Sequence, residues 1–509
     1  MAFRLFVGLL LVFLFCSSVT SDKTGSDIKW WCSQTPNPEP CEFFLSSKPV
    51  AHSIKHKSQF KKLAVHLALE RAVKAKGRTE GLGLQLRNKK EKAAWADCVE
   101  LYDSTIRQLN KTVDPNRKHT GEDAQTWLST ALTNLGTCSD GLKELGVSEY
   151  MSPLMTNNVS KLICNTLELN KVAPSKPKYK DGFPDWVPTG DRKLLQAAAP
   201  AANVVVAKDG SGKFKTVKQA FDAAASWKGK GRFVIYVKAG VYSENVVTKA
   251  KNVMLIGDGI GRTILTGSKS VVGGSTTFAS ATFATGGSGF IARGVTIRNT
   301  AGPQNHQAVA LRSDSDLSVF YQCSFEGFQD TLYVHSQRQF FRECNIVGTI
   351  DFIFGNAAVV LQNCNIYARK PMPGQPCTLT AQGRMDPNQN TGISIQNSRL
   401  LATADLGSTI VYLGRPWKQY SRTVYMETFM GAQITPAGWM EWVGNFALKT
   451  LYYGEYRNTG PGSSTANRVK WPGYRVITNP AEASKFTVAN FIGGNSWLPP
   501  TKVPFTPGL

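Results

Sequence analysis

The sequence predicts two folded parts, an all-α helical bundle followed by an all-β right-handed parallel β-helix. Three observations lead there. Cys323 and Cys344 lie 21 residues apart, as do Asp330 and Asp351, so Phe320-Tyr-Gln-Cys323-Ser-Phe-Glu-Gly327 and Phe341-Arg-Glu-Cys344-Asn-Ile-Val-Gly348 read as consecutive repeats. Leu361-Gln-Asn-Cys364-Asn-Ile-Tyr-Ala368 follows 20 residues later, and Ile291-Ala-Arg-Gly294-Val-Thr-Ile-Arg298 and Ile395-Gln-Asn-Ser398-Arg-Leu-Leu-Ala402 flank the set. Such units are too short for βαβ crossovers and fit the coils of a solenoid. Second, the stretch from Ile28 to about Asn170 is poor in Gly and places apolar residues at helical spacing, as in Lys62-Leu-Ala-Val-His-Leu-Ala-Leu-Glu-Arg71 and Ala124-Gln-Thr-Trp-Leu-Ser-Thr-Ala-Leu-Thr-Asn134. Third, 509 residues exceed one ordinary domain, and a hydrophobic share of 42% excludes a disordered chain.

In chain order, residues 1–21 carry one charge, Arg4, then an apolar run from Leu5 to Phe15 and small residues to Ser21. That pattern is a cleavable secretory signal, too short for the ~20 residues of a membrane span. Secretion permits disulfides among the nine cysteines that remain after Cys16 leaves.

Residues 22–170 are expected to form the helical domain. Cys32 and Cys41 enclose Thr35-Pro36-Asn37-Pro38, a stretch that cannot be helix interior and suits a stapled hairpin. Cys98 and Cys138 would tie two helices together, although five cysteines with Cys164 allow several connectivities. Asn110-Lys-Thr112 and Asn158-Val-Ser160 are glycosylation sequons. Residues 171–203 hold five Pro and the run Gln196-Ala-Ala-Ala-Pro200, which reads as a linker, with Arg192-Lys193-Leu194-Leu195 an exposed basic pair suited to a processing protease. Residues 204–509 form the β-helix, opened by Val204-Val-Val206, a helix capped by Thr216 and running through Ala225, and a strand and turn over Phe233–Tyr242.

The net charge is +23, and from residue 196 onward 31 Lys+Arg against 16 Asp+Glu leave +15. A secreted basic protein without nucleic-acid motifs points to an acidic polysaccharide as partner, and the mature form needs no membrane. There is no G-x-S-x-G elbow, H-E-x-x-H site or phosphate loop, and the six His, with His306 and His335 nearest the repeats, form no metal-ligand pair. No metal or cofactor is expected, so chemistry falls to carboxylates. On stacked coils Asp330 and Asp351 would be about one strand spacing apart, ~4.7–4.9 Å. Two such carboxylates cannot both ionise normally, so one stays an acid while the other serves as nucleophile or base.

Two sets of motifs resemble known families. Trp31-Cys-Ser-Gln-Thr-Pro-Asn-Pro-Glu-Pro-Cys41 and Trp127-Leu-Ser-Thr-Ala-Leu-Thr-Asn-Leu-Gly-Thr-Cys138 resemble the signatures of the pectin methylesterase inhibitor family. That resemblance implies disulfides Cys32–Cys41 and Cys98–Cys138 and a spare thiol at Cys164. Gly240-Val-Tyr-Ser-Glu244, Gln307-Ala-Val-Ala-Leu-Arg312, Gln329-Asp-Thr-Leu332, Asp351-Phe-Ile-Phe-Gly355 and Leu413-Gly-Arg-Pro-Trp417 resemble plant pectin methylesterases, five motifs in order from Val204 to Leu509.

This second resemblance implies an esterase acting on methyl-esterified homogalacturonan of the cell wall. Asp351 would be the nucleophile and Asp330 the proton donor and base, with Gln307 and Gln329 on the oxyanion and Arg415 orienting Asp351. Thr277, Gln307, Arg415 and Trp417 would bind substrate, and a disulfide would join Cys344 and Cys364, leaving Cys323 and Cys377 as thiols or with their state open. Phe328, Tyr333, Phe352 and Phe354 could line the cleft or stack in the core. Further expectations are a processing cut at residues 192–195 freeing an enzyme that begins near Gln196, a separate inhibitor protein as partner, and a monomer. The rivals are a β-helix glycosidase or lyase on the same polymer, and a silent wall-binding protein or an inhibitor acting through its N-terminal bundle.

Overall fold

A computed structural model describes residues 27–149, 157–171 and 202–509. The expected signal at 1–21 and the expected processing site at 192–195 lie outside the described residues. Within them the helical bundle and the parallel β-helix are both present.

The helical part opens with α1 (Ile28–Ser33) and α2 (Pro38–Leu45), joined through the Cys32–Cys41 disulfide. Four longer helices follow: α3 (Lys57–Leu82), α4 (Lys89–Val113), α5 (Gly121–Glu144) and α6 (Val159–Asn170). Thr120 starts α5 through a capping box, its Oγ accepting from the Asp123 N–H while the Asp123 carboxylate accepts from Thr120. The Cys98–Cys138 disulfide ties α4 to α5. Phe60, Leu109, Leu128, Ile163 and Leu167 share a core from which water is excluded.

The β-helix has three parallel sheets of 11, 7 and 8 strands, and each coil contributes one strand to each sheet through most of its length. Its interior is a set of ladders, with Phe320 stacked on Phe341 at 4.5 Å between ring centroids. Helix α7 (Val217–Ser226) covers the first coil with Val217, Phe221 and Ala224, so the open end of the core does not invite edge pairing.

One turn recurs coil after coil between the 11-stranded and 8-stranded sheets. It is a single residue in the left-handed region: Gly294, Gln322, Glu343, Asn363, Asn397 and Glu427, all with φ between +50° and +65°. This ladder corrects the alignment of the first repeat. Ile291 pairs with Val319, so Gly294 occupies the turn position of Gln322, and Val295, not Gly294, takes the rung of Cys323. A Cβ at Gly294 would stand 3.1 Å from the carbonyl oxygen of Gly257, so this coil takes a glycine at a turn where the others carry Gln, Glu or Asn.

The expected Cys344–Cys364 disulfide is also corrected, because both are free thiols within the core, as is Cys323. The Cys344 thiol donates to the carbonyl of Phe320, and the Cys364 thiol to that of Phe341. Side chains stacked on parallel strands keep the ~4.7–4.9 Å strand spacing, whereas a disulfide draws its Cβ atoms to ~3.5–4.5 Å. Cys377 and Cys164 are free thiols as well.

Candidate active site

The 7-stranded sheet builds the site. Strand Leu332–Val334 pairs in register with Ile353–Gly355, so Asp330 and Asp351, each two residues ahead of its strand, occupy the same rung of adjacent coils. Both are buried, and both have positive φ, 64° and 52°, a conformation that Asp tolerates better than most residues and that often marks functional positions.

Their environments differ. The Arg415 guanidinium grips Asp351, with Nε 2.9 Å from Oδ1 and a second nitrogen 2.7 Å from Oδ2. Arg415 follows strand Val411–Gly414, whose Gly414 pairs with Thr380, and Thr380 pairs with Ile353, so the guanidinium reaches back across one coil. Asp330 receives no such bond. Burial, then the charge of Asp351 beside it, pushes the Asp330 carboxyl well above the ordinary carboxylate range. Burial and the neighbouring charge therefore favour the acid form at Asp330, while Asp351 alone of the two has a guanidinium partner.

A cavity of about 320 Å³ opens over this pair. Gln307 and Gln329 line it, as do Thr277, Tyr333, Phe354, Arg415 and Trp417. Tyr333 and Phe354 stack at 4.2 Å, and Trp417 stands edge-on to both. Phe352 instead points into the β-helix core, and Phe328 lies under Arg369. His306 is exposed, whereas His335 is buried between Phe278 and Tyr333.

Two residues at the site had no sequence signal. Trp442 joins the cavity wall with its ring 4.5 Å from the Arg415 guanidinium. Thr378 hydrogen-bonds Asp351 twice. It lies 27 residues after Asp351 because residues 369–376 lengthen that coil, which breaks the period of 21.

The other wall of the cavity comes from the helical part. Thr137, Asp140, Gly141, Lys143 and Glu144 of α5 line it. Glu144 accepts from both the N–H and the Oγ of Thr277, each at 2.9 Å, and burial raises its pKa. Asp140 pairs with Lys418 at 2.7 Å, Thr137 hydrogen-bonds His335, and Thr133 accepts from Asn356. Further along, Thr126 accepts from Asn390. Positions 126, 133, 137, 140 and 144 form one helical face, so α5 lies along the groove of the β-helix. A single apolar cluster joins Ala94, Leu101 and Leu142 to Phe278, Tyr333 and Phe354.

The chain was compared with known proteins. The family model described as Pectinesterase matches residues 203–495, and the one described as Plant invertase/pectin methylesterase inhibitor matches residues 26–169. Pectinesterase 2 of Citrus sinensis is 63% identical over 513 residues, covering 100% of both chains. Probable pectinesterase/pectinesterase inhibitor 17 of Arabidopsis thaliana is 61% identical over 515 residues, again with 100% of both covered. Among solved structures, the pectin methylesterase from carrot is 58% identical with a TM-score of 0.60, covering 62% of this chain and 100% of that one.

Proposed function

The chain belongs to the pectinesterase family, carboxylic ester hydrolases of the pectin methylesterase type, and from that premise we propose a secreted precursor whose β-helix demethylates homogalacturonan with two Asp residues. The observation that carries the mechanism is the asymmetry of the stacked pair: Arg415 holds Asp351, and Asp330 is driven toward its acid form.

Asp351 attacks the carbonyl carbon of a galacturonate methyl ester. The oxyanion that forms is met by the side-chain amides of Gln307 and Gln329, donors aimed where charge develops. As the intermediate collapses, the C–O bond to the methoxy group breaks, and Asp330 gives its proton to the departing oxygen, releasing methanol. Asp330, now ionised, takes a proton from water as that water attacks the acyl-enzyme carbonyl. The bond between the acyl carbon and Asp351 then breaks, leaving ionised Asp351, reprotonated Asp330 and a uronic acid that loses its proton to solvent as the free carboxylate, so one water is consumed per ester. Thr277 and the Tyr333, Phe354 and Trp417 wall bind the sugar chain.

The domain division follows the same reading. Residues 1–21 direct secretion to the cell wall, and residues 22–170 form the inhibitor-like pro-region, glycosylated at Asn110 and Asn158. Residues 171–203 are the linker cut at 192–195, and residues 204–509 are the enzyme, acting as a monomer. The α5 face in the groove supports a blocked precursor, because Glu144 occupies the donors of Thr277 that substrate needs.

The test is methanol release from highly methylated pectin by the full chain, before and after cleavage at 192–195. Methanol after cleavage and little before is the expected result. Reducing ends in place of methanol would overturn the esterase reading. Equal rates in both forms would remove the blocking role and leave the esterase standing.

A further inference from the structure

Asp351 is held by the Arg415 guanidinium and also by a hydroxyl that the mechanism above leaves unused. Thr378 lies in strand Cys377–Gln382, whose Thr380 pairs with Ile353, so Thr378 is the next rung of the ladder that runs from Asp330 through Asp351. The nucleophile therefore sits between an acid on one coil and a hydroxyl on the next. Thr378 is buried and makes two bonds to this one residue. Its Oγ1–H donates to Asp351 Oδ1 at 2.7 Å, and its Oγ1 accepts from the Asp351 backbone N–H at 2.8 Å.

A comparison of rungs shows what is particular here. At Asp330 the backbone N–H donates to a backbone carbonyl of the following coil, that of Ile350. At Asp351 a side-chain hydroxyl takes that place, and the same hydroxyl returns its proton to the carboxylate. One atom thus holds both the left-handed backbone of Asp351, at φ 52°, and the rotamer of its side chain. Oδ1 is held by Thr378 and by Arg415 Nε, while Oδ2 is held by Arg415 alone.

We propose that Thr378 is a positioning residue for the nucleophile, locking the Asp351 carboxylate at the angle from which it attacks the ester carbonyl. The proposal rests on Asp351 being that nucleophile. The other charged or titratable groups around the pair are Asp330, Arg415, Tyr453 and, from α5, Glu144. Thr378 touches no substrate in this role.

The test compares Thr378→Val, which keeps the shape and removes the hydroxyl, with Thr378→Ser, which keeps the hydroxyl, in the full chain cleaved at 192–195. A loss of near-attack geometry of this kind costs ~10²-fold. The expected result is a fall of that order in kcat for Thr378→Val, KM within about threefold, and near-complete rescue by Ser. Thr378→Ala supplies the same comparison should Val fold poorly, with thermal melting as the control for folding. Wild-type kcat in the hydroxyl-less variants would overturn the proposal, and so would equal impairment in Ser and Val. Asp351→Asn, assayed alongside, keeps the two readings apart. If it is inactive while Thr378→Val is normal, only Thr378 is wrong; if it retains activity, the Asp351 reading fails.

Discussion

The two parts of the molecule are held together in different ways. The helical part carries both disulfides found among the described residues, Cys32–Cys41 and Cys98–Cys138. The β-helix holds four buried thiols, Cys323, Cys344, Cys364 and Cys377, and none is oxidised. A small bundle buries limited apolar surface and gains from restricting its unfolded chain. A solenoid adds core with every coil, as in the Phe320 and Phe341 stack, and needs no such staple. The interface is as uneven as the interiors. Across it the ion pairs place the carboxylate on the helices and the cation on the β-helix: Asp140 with Lys418, Asp123 with Arg338, and Glu100 with Lys249. The helical part thus meets the basic groove with an acidic face, while the β-helix holds all of the proposed chemistry.

The sharpest way to break this division of labour is Asp351→Asn. If the chemistry lies in the β-helix alone, methanol release by the cleaved chain falls by about 10⁴-fold or more. Retained activity would move the chemistry elsewhere. The next test replaces Cys98 and Cys138 with Ser. Thermal melting should show the helical part losing about 2–5 kcal/mol while the β-helix transition stays in place. A shift in both transitions would mean that the two parts melt as one unit.

Acidity should act mainly on the helical part. Burial raises Asp97 to about 6, with a hydrogen bond to Thr276 of the β-helix pulling it back, and burial raises Glu144 in the same direction. A carboxyl whose pKa rises on docking binds protons more tightly when docked. Its contribution is therefore full below the ordinary carboxylate range and is lost as pH rises through about 6. Docking of the cleaved helical part should weaken by about 1–3 kcal/mol between pH 4 and pH 7, measurable by calorimetry on the nicked chain. Asp123 runs the other way: burial is the largest single influence and raises its pKa, but Arg338 and the hydrogen bonds from Thr120 together lower it, so that ion pair fails only in stronger acid. Docking that strengthens steadily from pH 4 to pH 7 would contradict this account. The smallest effect belongs to Lys418→Ala. Its partly exposed pair with Asp140 should contribute about 0.5–1 kcal/mol to docking, and the same calorimetry would show it.

Much of this was legible in the residues. The 21-residue step from Cys323 to Cys344 gave the coil, and the equal step from Asp330 to Asp351 put two carboxylates on one rung. Where coil length changes, the reading slips. The 28-residue step from Ile291 to Val319 displaced one alignment by a residue, and the 27-residue step from Asp351 to Thr378 hid a partner of the nucleophile. Thr126, Thr133, Thr137, Asp140 and Glu144 fall at helical spacing in the sequence, but a polar stripe on a bundle helix ordinarily faces water and so gave no signal. Here it faces another domain.

The sequence by itself determined what is periodic and local: the coil, the helices and their caps, and the rung shared by Asp330 and Asp351. Periodicity suffices there because in-register stacking brings equivalent residues together whatever else the chain does. The tertiary structure decided what depends on non-repeating approach. It brought Arg415 and Thr378, from the two coils that follow, onto the carboxylate of Asp351 and left Cys344 and Cys364 as free thiols. It also laid α5 along the groove, so that Glu144 meets Thr277 across 133 residues of chain. No repeat or motif encodes such contacts, because they form between surfaces whose complementarity exists only once both parts have folded.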